Sequence, residues 1–417
     1  SLYGEENGRR ESERFDYVVG NPPWVNWEAL PCGHRKATME FWKRYGLFSH
    51  KGMDVILGKG KKDISTLMTM VCADRFLKDG GNMAFVITES VFKSGGAADG
   101  FRRFQLPDGI PLKVIMAEDL MGLNPFPNAS NRPAVIYLKR GEPTKYPVPY
   151  IKWKRTGSEE SAGNGTGEIE ALELWAEPVK IEEPHSPWLT CIMETRIALR
   201  RLLGRSEYEA REGANTGGAN GVFWLEVLDS PAPGLVQVRN LPGNSRRPVP
   251  QVEMVIEDAL VYPLLKGRDI GRWRVQPSAH ILLAQDPTTR RGISLSEMRE
   301  KYPRTLEYLQ VFENILRERA AYKRYFKQID AFYSMFNIGE YTLAPCKVVW
   351  HRFGADMQAA VAEGFAKPVV CQETHCLIAC QNSDEAWYLA GLLNSLPVEY
   401  AVKSYSMVGG KSFASPH

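Results

Sequence analysis

The residues with the clearest chemical potential are Asn21, Pro22, Pro23 and Trp24, which directly follow an apolar run at residues 15–20. An apolar run of this length predicts a strand. The two prolines stiffen the loop after it, because each fixes its own φ and lacks a backbone N–H, and because the residue before a proline is held near extended geometry. The loop therefore presents fixed carbonyls, the side-chain carbonyl of Asn21 and one large aromatic face.

These groups suit an amino group carried on an aromatic ring. The Asn21 side chain and the Pro22 carbonyl would each accept one hydrogen of the –NH2 group while Trp24 stacks on the ring. The exocyclic amine of adenine fits, because its lone pair is delocalised and weakly nucleophilic. Two such hydrogen bonds would turn the lone pair toward an electrophile without a strong base. The alternative is a tight loop around a buried tryptophan.

The strand and loop resemble the Asn/Asp-Pro-Pro-aromatic motif of S-adenosylmethionine-dependent amino-methyltransferases. Residues 63–92 narrow the resemblance to the adenine-specific DNA methyltransferases of restriction–modification systems, including the type IIG fusions. There the pattern predicts a helix that begins at Asp63 or Ser65 and ends at the glycines 80–81. It then predicts an apolar strand at 83–87, inside a parallel sheet covered on both faces.

A second stretch supports the same resemblance. Phe126 and Pro127 precede a predicted strand at residues 134–138, where the family places an aromatic ring against the far face of the target base. The resemblance implies that Trp24 and Phe126 sandwich an adenine that has left the DNA duplex. It also implies site-specific methyl transfer from S-adenosylmethionine to the adenine amine.

The second half of the chain resembles the target-recognition domain of the same enzymes. The match at Thr216, Gly217, Asn220 and Phe223 is to the family's Thr-Gly-x-x-Asn-x-x-Phe loop. The resemblance therefore implies that Thr216, Gly217 and Asn220 bind DNA, although this stretch read alone is a flexible Gly/Asn loop. The stretches that carry the resemblance are residues 213–224, 264–273 and 388–395.

The formal net charge is only +3, so overall charge does not indicate nucleic-acid binding. Lys266, Arg268 and Arg272 are nevertheless close together in sequence, and phosphate contacts need basic side chains on one surface rather than a high total charge. We expect these three to bind double-stranded DNA. The basic run at 317–327 continues a helical pattern and is equally consistent with a solvated helix face.

The resemblance and the patterning predict an α/β fold. It consists of a partial doubly wound methyltransferase sheet at residues 1–145, a linker and connecting segment at 146–184, and an α+β target-recognition domain at 185–417. The family's Gly-rich cofactor loop usually precedes the catalytic loop by many tens of residues, but only about twenty precede Asn21. We therefore expect an incomplete S-adenosylmethionine site, completed by an upstream segment or a partner chain.

The remaining features favour a cytoplasmic protein that does not bind a membrane. No apolar run is long enough to span a bilayer, no signal-peptide pattern is present, and the cysteines are scattered. Zinc could bind Cys371, His375, Cys376 and Cys380, but cysteines are often simply buried, so no metal is expected. No nuclease site is evident.

Alternatives remain open. Methyltransferases of RNA and of protein glutamine share the Asn-Pro-Pro-aromatic loop, and the chain could also be a non-catalytic DNA-recognition fragment or subunit. The size of the second half favours DNA. The recognised DNA sequence depends on side-chain geometry in the groove.

Overall fold

The computed structural model describes residues 14–48, 62–96, 98–126, 131–156, 168–245, 248–325, 331–352, 354 and 356–406. The chain forms two compact units, residues 1–204 with 401–407 and residues 205–400 with 408–417. Over the described ranges, none of the helices combines the length and the apolar character needed to cross a membrane.

The first unit is built on one mixed sheet with the strand order β1-β2-β4-β3-β5-β6-β7. β1 is parallel to β2 and β3 is parallel to β5, whereas the other neighbours are antiparallel. The sheet is therefore less parallel than we expected. Its strands are β1 (Phe15–Gly20), β2 (Leu77–Thr88), β3 (Leu112–Gly122), β4 (Pro133–Arg140), β5 (Val148–Thr156), β6 (Glu168–Pro178) and β7 (Trp188–Cys191).

Helix α2 begins where the sequence predicts and ends earlier. The Asp63 side chain caps it by accepting the Ser65 N–H at 2.8 Å. The expected end at residues 80–81 is wrong, because Gly80 and Gly81 lie inside β2, where the register against β1 shifts. Gly80 has a φ of +75°, which glycine tolerates without strain. The helices of this unit are α1 (Cys32–Arg44), α2 (Ile64–Arg75), α3 (Ser90–Lys93) and α4 (Arg196–Leu202).

Among the described residues, the sheet is fully packed on one face at β1 and β2, whereas we expected both faces to be covered. Phe85 and Ile87 point into the main core of this unit, which α2 also lines. The alternate residue Val86 is only half-buried. On β1, Tyr17 is 75% and Val19 is 79% exposed. The second face is therefore only partly covered by the part of the chain that the structure describes.

The connecting segment expected at 146–184 instead contributes strands to the first sheet. β5 pairs along its whole length with β6, from Val148 with Ala176 to Thr156 with Glu168. Residues 157–167 of the predicted linker lie outside the described residues. The division between the units falls at residue 204, because β7 and α4 also belong to the first unit.

The second unit combines short strands and helices. Two sheets have the orders β11-β10-β9-β15-β12-β20 and β19-β18-β21-β8, and two hairpins pair β13 with β14 and β16 with β17. The strands are β8 (Arg211–Glu212), β9 (Trp224–Ala232), β10 (Leu235–Asn240), β11 (Glu253–Glu257), β12 (Val261–Leu265), β13 (Ile270–Gly271), β14 (Arg274–Val275), β15 (Ala279–Leu282), β16 (Gln285–Asp286), β17 (Arg291–Gly292), β18 (Lys347–His351), β19 (Ala359–Ala362), β20 (Val370–Cys371) and β21 (His375–Ala379).

The helical pattern at Leu306, Leu309, Phe312 and Leu316 is confirmed as one buried stripe, although the helix is interrupted at Phe312. The stripe packs into the largest core of the second unit. The remaining helices are α5 (Asn220–Phe223), α6 (Leu295–Lys301), α7 (Pro303–Val311), α8 (Glu313–Arg317), α9 (Ala320–Tyr325), α10 (Ser383–Leu393) and α11 (Leu396–Tyr405).

A buried lysine in this unit predicts how the stability of the fold changes with pH. Lys347 is fully buried and donates to the carbonyls of Thr342 at 2.6 Å and Val369 at 2.8 Å. Burial lowers the pKa of Lys347 to about 8. Above that pH and below the ordinary lysine pKa of about 10.4, the unfolded chain holds more protons than the folded chain, so the free energy of unfolding should rise with pH.

Chemical denaturation of the wild type and of Lys347→Met from pH 7 upward should show this effect. Relative to the variant, the wild type should gain up to about 1.4 kcal/mol of unfolding free energy per pH unit above pH 8. The difference between the two proteins removes the contribution of other titrating groups, including buried Lys93. A constant difference across this range would contradict the prediction.

Candidate functional site

The sheet of the first unit brings the predicted catalytic loop to an edge shared by several strands. β1 and β2 are parallel, so both end there, and Thr88 at the end of β2 pairs with Pro133 at the start of β4. Asp119 near the end of β3 pairs with Ala134 of β4. The loop at residues 21–24 therefore lies at the carboxyl ends of parallel strands, which is where ligands bind in open α/β sheets.

Within this loop, the two predicted acceptors differ in exposure. Asn21 and Pro23 are exposed, Pro22 is buried and Trp24 is half-buried. The Trp24 indole N–H donates to the Val86 carbonyl at 3.1 Å, which fixes the ring against β2. None of the residues that the structure describes donates a hydrogen bond to the Asn21 side chain or to the Pro22 carbonyl.

Neighbouring segments hold the loop in place. The Trp24 carbonyl accepts a hydrogen bond from the Asn131 side chain at 3.1 Å. The next residue, Val25, accepts the Ile64 N–H at 3.0 Å, and the Trp27 N–H donates to Lys62 at 2.7 Å. The start of α2 and the segment before β4 therefore fix the position of the aromatic ring.

The structure brings Trp24 and Phe126 together. Their ring centroids are 5.1 Å apart and the rings meet edge to face, at 79°. A base held between two parallel rings needs them about 7 Å apart, twice the usual carbon–carbon contact distance. The rings thus contact each other in this conformation. Phe126 is 36% exposed, and Pro127 lies outside the described residues.

Sequence reasoning missed a group of buried charges at the same edge. Glu89 follows β2 directly and pairs with Arg132 at 3.3 Å, while Asp119 and Lys93 are also buried. Burial, reinforced by Asp119, raises the pKa of the Glu89 carboxyl. Burial lowers the pKa of Lys93 to about 8. The sequence did contain one indication of this group, because Glu89 directly follows β2 in the same way that Asn21 directly follows β1. Arg132 also adjoins Asn131, which holds the loop.

In the second unit, the predicted DNA-binding loop is anchored by its own polar groups. Thr216 is 0% exposed and its hydroxyl donates to the Asn220 side chain at 2.5 Å. Asn220 and Gly217 are half-buried, while Gly218 is exposed, and both glycines have positive φ values. The loop therefore presents the backbone near Gly218 to solvent, with the Thr216 hydroxyl inside.

Arg319 anchors the same loop from the interior. It is 4% exposed and donates to the carbonyls of Thr216 at 2.7 Å, Phe332 at 2.7 Å and Leu316 at 2.9 Å. Burial lowers the pKa of Arg319 to about 10. The sequence placed this arginine in a basic run that could have been a solvated helix face. The structure gives it a positioning role instead.

The predicted phosphate-binding residues lie after β12. Lys266 is half-buried, whereas Arg268 and Arg272 are exposed, and Arg272 pairs with Glu399 at 3.3 Å. Backbone contacts of Gln372 connect this turn with the chain just before the predicted DNA-binding loop at residues 216–223, called the Thr-Gly loop below. Its N–H donates to Leu265 at 3.3 Å, and it forms a bridge with Ala214.

The remaining predicted features are structural. Residues 388–395 fall mainly in α10, with Leu389 and Ala390 in a core. The segment that we considered as a zinc site, residues 371–380, contains the last residue of β20 and all of β21. All four of its cysteine and histidine side chains are buried. Within the described ranges, no three metal-ligating side chains come together.

Comparison with known proteins gives distant similarities. No family model matches this chain. It is 23% identical over 144 residues to the Type II methyltransferase M.NspV of Nostoc sp. (strain ATCC 29411 / PCC 7524). That match covers 34% of this chain and 28% of the relative. In sequence, about a third of the chain is thus similar to a Type II methyltransferase.

Solved structures of restriction–modification enzymes are also similar, at low TM-scores. The Type IIL enzyme MmeI, solved in complex with DNA, matches at 12% identity and a TM-score of 0.48 over 95% of this chain. The type IIG restriction endonuclease BpuSI matches at 16% identity and a TM-score of 0.29 over 94% of this chain. The chain spans 44% of the first and 45% of the second.

Proposed function

We propose that this chain is part of an adenine-specific DNA methyltransferase from a restriction–modification system. It would contain the loop that binds the target amine and the domain that recognises the DNA sequence. The observation that carries the proposal is the loop at residues 21–24. It lies at the carboxyl edge of parallel strands, with Asn21 exposed, with no hydrogen bond from the described residues to the Pro22 carbonyl, and with Trp24 beside Phe126. Similarity to the Type II methyltransferase M.NspV supports methyl transfer.

The target amine is paired inside a duplex and must leave it to reach this loop, at a cost of a few kcal/mol. Stacking on aromatic rings would return about 1–3 kcal/mol per base. Trp24 is tethered to Val86. We therefore infer that Phe126 is the ring that moves aside, so that the edge-to-face pair opens and admits the base. Asn21 and Pro22 then orient the amine.

S-adenosylmethionine is the proposed methyl donor, and it supplies an electrophilic methyl group when bound. The residues of the loop itself are an amide, two prolines and an indole, which suit an amine on an aromatic ring. They do not suit the ammonium and carboxylate of the cofactor, and the charged side chains of Glu89, Lys93 and Asp119 at the same edge are buried. In the reaction, the loop's own part is to bind and orient the acceptor amine.

We further propose that another segment or a partner chain completes the cofactor site by pairing along β1. The strand β1 is last in the order of its sheet, next only to β2 among the described strands. Phe15, Tyr17 and Val19 are exposed along it. Unpaired edge strands with apolar side chains are templates for strand addition.

The test is transfer of labelled methyl groups to duplex DNA by the full-length natural protein and by the 417-residue chain alone, followed by mass spectrometry of the nucleosides. N6-methyladenine should form with the full-length protein, and the chain alone should be inactive and bind S-adenosylmethionine weakly. If RNA or a glutamine side chain were methylated instead of adenine in DNA, the proposed substrate would be wrong. Full activity of the 417-residue chain alone would contradict the proposal that another segment or a partner chain completes the cofactor site.

The Phe126→Ala variant of the full-length protein should capture the flipped base less well. Loss of one stacking face should weaken capture by about 1–3 kcal/mol. The measurement is the fluorescence increase of 2-aminopurine at the target position, which should fall. Phe126→Tyr keeps the ring and should retain most of the signal. A wild-type signal from Phe126→Ala would remove Phe126 from the base site.

A further inference from the structure

A tryptophan stands at the tip of a short hairpin in the second unit. Gly271 of β13 pairs with Arg274 of β14, so Arg272 and Trp273 form the turn between them. Trp273 has a φ of +68° and is 48% exposed. Its N–H donates to the Ala359 carbonyl at 3.0 Å, which fastens the turn to β19.

This backbone conformation is costly for a bulky residue. The left-handed region costs a residue other than glycine about 1–2 kcal/mol. Phe104 also has a positive φ, but it is 3% exposed and packs against Phe101 and Trp188, so its burial offsets the cost. About half of Trp273 is exposed to solvent. Strain retained without full burial is typical of functional positions.

The charges around Trp273 are mostly positive. Arg272 and Arg274 flank it and are exposed, and Lys266 and Arg268 precede the hairpin. The acidic side chain in this stretch, Asp269, accepts hydrogen bonds from neighbouring residues. Its carboxylate accepts the Lys266 N–H at 2.7 Å and the Ser278 hydroxyl at 2.9 Å. Glu399 offsets part of the charge by pairing with Arg272.

An exposed aromatic ring between arginines matches the chemistry of nucleic acid, which offers phosphates and, wherever a base has left the stack, a free base face. We propose that Trp273 stacks on an unpaired base that has left the stack of the bound DNA, with Arg272 and Arg274 at the neighbouring phosphates. This inference rests on the proposed DNA-binding function. It adds a contact that neither the Thr-Gly loop nor the basic residues predicted from sequence include.

The test is the Trp273→Gly variant of the full chain, because glycine should separate folding from binding. Glycine adopts positive φ freely, so the melting temperature should stay the same or rise. Affinity for a fluorescein-labelled random-sequence duplex with one unpaired adenine should fall about tenfold. The dependence of affinity on salt should not change, because no charge is lost. Trp273→Phe should retain most of the affinity.

A matched charge variant separates stacking from electrostatics. Arg274→Gln should lower the slope of log affinity against log salt by about 0.9. A folded Trp273→Gly variant that binds within twofold of wild type would overturn the proposal and leave DNA binding intact. A lower melting temperature or misfolding of Trp273→Gly would assign the ring to packing and also overturn it. A wild-type chain that does not bind this duplex at low salt would instead contradict the proposed DNA function itself.

Discussion

Replacing Asn21 by alanine in the full-length protein is expected to lower the rate of methyl transfer by about 100-fold or more. The reason is that one of the two proposed acceptors for the adenine amine is lost, so the lone pair is no longer directed at the methyl group. Affinity for duplex DNA should be nearly unchanged, because the proposed contacts with the duplex lie elsewhere. Single-turnover rates and equilibrium binding, measured on the same duplex, separate the two effects.

The neighbouring Asn26 provides a matched control. It is also exposed, and the bridge that it forms with Asp63 uses its backbone. Asn26→Ala should therefore transfer methyl groups at close to the wild-type rate. If Asn21→Ala were as active as Asn26→Ala, the amine-gripping role of the loop would be wrong, and with it the proposed reaction.

Replacing Arg319 by methionine should destabilise the second unit by about 3–5 kcal/mol, because buried carbonyl groups lose their charged donor. These groups belong to Thr216, Leu316 and Phe332. The effect should include the Thr-Gly loop, whose Gly217 N–H donates to the Asn215 side chain at 2.8 Å. Chemical denaturation gives the global effect, and hydrogen exchange at Gly217 gives the local one.

Arg317, two residues away, is the control. Its side chain is largely exposed and pairs with Glu313 at 2.7 Å on the helix surface. Exposed ion pairs of this kind contribute about 0.3–0.5 kcal/mol. The Arg317 guanidinium also lies 5.3 Å from the centroid of the Phe332 ring, a contact that contributes about 0.5–1 kcal/mol at an exposed site, so Arg317→Met should cost clearly less than Arg319→Met. Equal effects of the two substitutions would show that Arg319 does not anchor the loop.

Several features follow from short stretches of sequence. The strand at Phe15–Gly20 and the rigid loop after it are encoded by an apolar run and two prolines, and the start of α2 by the Asp63 cap. The buried stripe from Leu306 to Leu316 follows from its helical spacing. These features depend on φ restrictions, capping and side-chain periodicity, which act within a few residues.

Other features depend on partners far away in sequence. Gly80 and Gly81 lie inside β2, at the place where its register against β1 shifts, and this pairing depends on a strand about sixty residues away in sequence. Residues 148–178 are strands because β5 pairs with β3 and β6 with β5. The burial of Arg319 requires carbonyls supplied by Thr216 and Phe332. Local pattern does not specify these pairings.

The sequence by itself determined which residues can grip an amine and stack on a ring, because those properties belong to the side chains and to the two prolines. Only the tertiary structure decided that Trp24 meets Phe126 edge to face, that Thr216 is turned inward and that Trp273 is presented outward. The physical reason is that exposure and ring geometry are set by sheet register and packing between distant segments, whereas chemical identity is set residue by residue.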